Sequence, residues 1–137
     1  MRHLRRYNES KKDKPNFKNY LIDGFVVYLG KDAESNDYVT LELGNDDEDI
    51  FLHAKGVPGS HVIIKVKDKI PSEEVIKKAA TMAAKNSKSK EDKVKVVYCK
   101  KKFVKKEKGS APGKVQLDYI NANEIIVDKW FIKINIY

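Results

Sequence analysis

The sequence predicts an α+β domain, a mainly antiparallel β-sheet with one principal amphipathic helix packed on one face. Three observations carry this. Short runs rich in β-branched and aromatic residues recur between clusters of Gly, Asn, Asp and Pro. One long helical pattern follows over residues 72–86, and further strand-like runs come after it. A length of 137 residues with 41% hydrophobic content suits one domain that buries a core without disulfides or metal.

Residues 1–16 are basic and lack an apolar period, which predicts a mobile N-terminal arm ahead of a single domain over 17–137. Residues 20–29, 38–43, 50–54 and 61–66 read as four strands. The acidic residues 45–49 between them predict a loop tip. Ser72 is the expected N-cap of the helix, and Glu73 and Glu74 suit the positive end of its macrodipole. Val75, Ile76, Ala79, Ala80, Ala83 and Ala84 form its apolar stripe, with small side chains that permit close approach to a sheet. Glu73 with Lys77, and Glu74 with Lys78, are i,i+4 pairs on the solvent side. A polar loop over 86–92 leads to strands expected at 94–99, 114–120, 124–127 and 130–136, with 100–113 as a long connection.

The formal charge of +8 is unevenly spread. Residues 1–20 hold seven Lys or Arg against Glu9 and Asp13, and residues 93–114 hold nine Lys against Glu107. Between them, residues 32–49 hold eight acids and no base. Such separation predicts one strongly positive face and an anionic partner. Cys99 is the single cysteine, so no internal disulfide forms; a packed thiol in a reducing, cytoplasmic setting is expected. No segment is apolar for long enough to cross a bilayer, and no membrane association is expected.

The segment DIFLHAKGVPGSH over 49–61 is the most particular in the chain. Gly56, Pro58 and Gly59 specify a turn, and His53, Lys55, Ser60 and His61 crowd around it. Polar side chains gathered at one end of a sheet, with the amides of a Gly-rich turn, can meet an anionic ligand. An ordinary hairpin with polar neighbours also explains the segment. The second notable segment is KKKFVKKEKGSAPGK, in which Lys100, Lys101, Lys102, Lys105, Lys106, Lys108 and Lys114 surround Phe103 and Val104. Phe103 is expected to anchor inward while lysines face a phosphate backbone, and Gly109, Pro112 and Gly113 supply a second turn. Lysine carries charge without a planar fork, so such a surface recognises shape and charge more than sequence. A lysine run is also what an ordinary solvated loop looks like. Tyr7, Tyr20, Tyr28, Tyr38 and Tyr98 can stack on unpaired bases, although aromatics in strands ordinarily belong to the core.

Signals for catalysis are poor. Ser60 beside His61 is not a nucleophile and base by adjacency, because the two must converge with an orienting group and an oxyanion site. The spacings of His53, His61 and Cys99 fit no zinc pattern, and no Walker-type phosphate loop occurs. No catalytic residue, metal or cofactor is therefore expected.

Gly30, Lys31, Asp32 and Ala33 with Asn36 and Asp37, then DIFLHAKGVPGSHV, then the Ala-rich helix with Asn86, Ser87 and Lys88, then VKKEKGSAPGKV, together resemble the NFACT-R domain over roughly residues 20–128. Lys31 and Asp32 stand where that family often has Arg-Asn, and Leu52 follows Phe51 where Trp-Phe is usual. The resemblance implies an RNA-binding module, and it adds Lys31 and Asn36 to the candidate RNA contacts. In the family this domain belongs to larger factors of ribosome-associated quality control, which bind the large ribosomal subunit with tRNA and direct tailing of stalled chains; small free-standing relatives also exist. The implied partner is rRNA or tRNA, in the setting of the large ribosomal subunit. Tail addition is not expected of these 137 residues. Two other readings stay open: a scaffold domain whose lysines read an acidic protein surface, and a small hydrolase built on His53 and His61.

Overall fold

The structure, a computed structural model, describes residues 15–130. Most of the expected N-terminal arm and of the expected strand at 130–136 lies outside the described residues.

An α+β architecture is observed. Six strands form one sheet in which every neighbouring pair is antiparallel. They are β1 (Phe17–Ile22), β2 (Phe25–Gly30), β3 (Ile50–Ala54), β4 (Val62–Ile64), β5 (Lys93–Lys100) and, after a small ribbon, β8 (Asn123–Asp128). The order across the sheet is β1-β2-β4-β3-β5-β8. The ribbon pairs β6 (Val104–Lys105) with β7 (Gln116–Leu117). A short helix α1 (Ala33–Asp37) runs directly into a π-helical turn (Tyr38–Leu43), and α2 (Glu73–Lys85) is the principal helix.

Strand alternation divides the core between two faces. Ile50, Leu52, Ala54, Val62, Ile64, Val94 and Val96 point to one side, where Val75, Ala79, Ala80, Met82, Ala83 and Ala84 of α2 cover them. The expected cap is present, with the Ser72 hydroxyl accepting from the Val75 amide at 3.3 Å. Phe51, Ile63 and Cys99 point to the other side, against Val39 and Val104, with Phe103, Val115 and Leu117 packed around them. Phe103 thus anchors inward as expected. Among the described residues no helix is long and apolar enough to cross a membrane.

Four expectations need correction. Residues 20–29 are not one strand: Asp23 and Gly24, at φ 49 and 89, turn the chain so that Phe17 pairs with Gly30 and Ile22 with Phe25. Positive φ at both central residues matches the twist of a tight hairpin. Residues 38–43 are not a strand. The Asp32 carboxylate and Ser35 hydroxyl form a reciprocal capping box that starts α1, and the backbone continues coiled until the Gly44 amide donates to the Val39 carbonyl at 2.8 Å. Val39 and Thr40 are fully buried in this coiled turn despite their β propensity. Residues 114–120 give only the two-residue β7, followed by a 3-10 turn (Tyr119–Asn121). Finally, Asp49 is no solvated loop tip: it is fully buried, accepting from the Val66 amide at 3.1 Å and from Lys65 Nζ at 2.5 Å.

One expected pair also differs in detail. Lys78, placed opposite Glu74 by helical spacing, instead reaches Asp23 at 3.3 Å and ties the hairpin turn to α2.

Candidate nucleic-acid interface

His53 and His61 become neighbours through strand register. Leu52 pairs with Val62, so one step further the chain sets residue 53 opposite 61, on the same face as Phe51 and Ile63. The two imidazole rings meet edge to face with centroids 5.2 Å apart, and Phe51 packs edge-on against His61 at 5.0 Å. His61 is 3% exposed, and its Nδ1 lies 2.8 Å from the Thr40 hydroxyl. Burial, and then the neighbouring His53 ring, push His61 down to about 3. Burial also lowers His53, while the Gly59 carbonyl beside it pulls the other way. The His61 ring is therefore uncharged at neutral pH, and burial favours the uncharged form of His53.

A cleft of about 600 Å³ opens above His53. Four separate stretches of chain wall it: Lys31 to Ala33 with Asn36, Pro58 to His61, Lys85 to Lys88, and Pro112 with Gly113. Asn36 locks the first two together, because its Nδ2 donates to the Gly59 carbonyl at 3.1 Å and its Oδ1 accepts from the His61 amide at 2.9 Å. A side chain at Gly30 would run into Asn36, its Cβ 2.1 Å from Oδ1, so only glycine leaves room for this bridge. The third stretch docks by backbone pairing: the Ser60 amide donates to the Asn86 carbonyl at 3.1 Å and the Lys88 amide to the Pro58 carbonyl at 2.8 Å. Gly59 is needed there, since a Cβ would lie 2.9 Å from Ser87 Cα. Lys129, 8% exposed, donates to the Ser87 and Ser89 carbonyls from behind. The fourth stretch rests on α1, with Gly113 close to Ala33.

The expected site residues divide into groups. Lys31, Asn36, His53, Ser60 and His61 line the cleft with Pro58, Gly59, Pro112 and Gly113. Gly56 and Gly109, at φ 77 and 84, form the turns expected of them away from its lining. Other lysines have carboxylate partners: Lys55 pairs with Glu124, and Lys100 and Lys102 hold Glu48 at 2.7 and 3.3 Å. Those two lysines hold Glu48 below the usual carboxylate range. Lys106 reaches Asp37 at 3.2 Å and donates to the Lys114 carbonyl at 2.9 Å, which folds the lysine-rich loop onto α1. Lys105, Lys108 and Lys114 are exposed, while Lys101 is half-buried, its amide held by the Asp49 carbonyl at 2.7 Å.

Lys85 and Lys88 were not among the expected contacts, yet they line the cleft with Lys31, and none of the three makes an ion pair among the described residues. At the end of a helix they read as solvent-facing charges that suit its negative pole. Only the pairing of Gly59 with Ser87 brings them to the turn.

The Thr40 hydroxyl that holds His61 is fully buried and does not line the cleft, and burial pushes the Cys99 thiol up to about 11. Among the described residues no group of three or more His, Cys, Asp or Glu is placed to hold a metal ion.

Known proteins resemble this chain in sequence and in fold. Residues 16–118 match the family described as the NFACT protein RNA binding domain. The chain is 43% identical over 96 residues to the Rqc2 homolog RqcH of Bacillus subtilis (strain 168), a match covering 69% of this chain and 16% of that protein. It is 37% identical over 114 residues to the Rqc2 homolog RqcH of Streptococcus suis (strain 05ZYH33), covering 80% and 20%. The chain thus spans a fifth or less of these curated relatives. Among solved structures, the C-terminal part of the fibronectin/fibrinogen-binding protein from Streptococcus suis is similar with a TM-score of 0.77 and 31% identity, over 89% of this chain and 48% of that one. The order of motifs in the sequence, the fold and the extent of the match agree, and the chain belongs to the NFACT protein RNA binding domain family.

Proposed function

We propose that this chain is a non-catalytic module that binds rRNA or tRNA in the cytoplasm, as part of translation or ribosome-associated quality control. One observation carries the reading within the family: a concave site rimmed by Lys31, Lys85 and Lys88, none of which is ion-paired among the described residues. Lys105, Lys108 and Lys114 extend the positive surface along the lysine-rich loop. Lysines so placed can displace counterions from phosphates, which gives affinity that is broad in sequence preference and steep in salt.

The test is a filter-binding titration with tRNA and with fragments of large-subunit rRNA at several salt concentrations. Wild-type protein is expected to show log affinity falling linearly with log salt. Lys85→Glu with Lys88→Glu is expected to weaken binding at least tenfold and to lower the slope by about one per lysine removed. Absence of binding to either RNA, or unchanged affinity and slope in a variant that melts normally, overturns the reading.

A further inference from the structure

The cleft separates charge from polarity in a way that a phosphate-binding surface does not require. Its floor and lips, His53, Asn86, Pro58 and Pro112, carry no formal charge, while the ammonium groups of Lys31, Lys85 and Lys88 stand around them. An uncharged imidazole offers a flat face and a hydrogen-bonding edge without drawing a phosphate inward. The rings of Pro58 and Pro112, both in the lining, supply apolar contact. At about 600 Å³ the space has the size of a small-ligand site and admits no double helix. The floor is also fixed before any ligand arrives, by the Asn36 bridge at 3.1 and 2.9 Å and by the Thr40 contact to His61 at 2.8 Å.

The rim has a direction. Asp32 lines the cleft beside Lys31, so that end carries less net positive charge than the end formed by Lys85 and Lys88. At the other end the carbonyls closing α2 are covered, because the Asn86 Nδ2 donates to the Met82 carbonyl at 2.8 Å, and Lys85 and Lys88 face outward as exposed cations.

We propose that the cleft takes one unstacked nucleotide from a single-stranded stretch of RNA, its base entering between Pro58 and Pro112 to meet His53 and its flanking phosphates lying along Lys85 and Lys88. This rests on the RNA-binding reading above and specifies which part of the RNA is held. Single-stranded loops whose bases can be splayed out are the natural ligand of such a pocket, and a duplex reaches only its rim.

The experiment compares a fluorescein-labelled 12-nucleotide RNA of mixed sequence with the same strand annealed to its complement, at one salt concentration. The single strand is expected to bind about tenfold more tightly than the duplex. His53→Leu keeps the bulk of the ring and removes its polar edge, and Pro112→Trp blocks the mouth from an exposed position. Each variant is expected to lose most of the single-strand preference while keeping the salt slope and duplex affinity of the wild type. Two substitutions on different walls, each checked by its melting curve, guard against one failing to fold. If RNA binds but single strand and duplex bind alike, or both folded variants keep the preference, the nucleotide cleft is wrong and the RNA-binding reading stands. If neither RNA binds, both fall together.

Discussion

Lysines at the cleft and lysines at the start of the long connection carry the same charge in different company. Lys100 and Lys102 share Glu48, and Lys106 is drawn to Asp37, so their charge is already answered within the fold. Lys31, Lys85 and Lys88 surround a concavity with no carboxylate paired to them among the described residues. Part of the charge of the lysine-rich segment is therefore already answered within the fold, whereas all three cleft lysines stay without an ion pair among the described residues. Density of charge along a sequence and availability of charge on a surface are different quantities, and the acidic residues 32–49 convert one into the other by pairing with distant lysines.

That contrast can be broken most severely at its buried extreme. Asp49→Ala leaves the Lys65 ammonium, only 12% exposed, without its partner and orphans the Val66 amide. Loss of about 3–5 kcal/mol of stability is expected in urea unfolding. A second test sets the uncharged floor against the charged rim. His61 is held down to about 3 when folded, so the unfolded chain takes up a proton that the native chain refuses. Stability should be fully present above about pH 6.5 and fall as pH drops toward 3, by up to about 1.4 kcal/mol per unit from this group. His61→Gln should flatten that part of the pH profile of thermal melting, with RNA binding at neutral pH less affected than by rim changes.

Smaller effects sharpen the comparison among the lysines themselves. Lys31→Glu is expected to weaken tRNA binding about fivefold and to reduce its salt slope by about one. Lys100→Gln with Lys102→Gln should change affinity less than twofold and stability by under about 1 kcal/mol, as for exposed ion pairs. Equal losses from the two sets in parallel titrations would erase the distinction.

Much of the fold could be read from the residues. Ile50 to Ala54, Val94 to Cys99 and the α2 stripe follow plain periodicities, and Ser72 caps the helix as its type and position suggest. Asp23-Gly24 is a standard hairpin signal, but it sits inside an apolar run that otherwise looks like one strand. Tyr38 to Leu43 has strand composition, yet it continues the coil that the capping box upstream starts. The site was legible where its parts are contiguous, as at His53 to His61. Lys85 and Lys88 became visible only through Gly59 meeting Ser87, a contact between residues far apart in the chain that no local pattern encodes.

The four-stretch construction of the cleft ties recognition to the intact native state. No fragment holding only one or two of those stretches carries a partial version of it, since residues 31, 59, 87 and 113 must all be in place at once. Whatever occupies the cleft then acts as a clamp across the whole domain: at a hundred times its Kd it adds about 2.7 kcal/mol to stability, enough to protect the chain from heat and proteases while it is engaged.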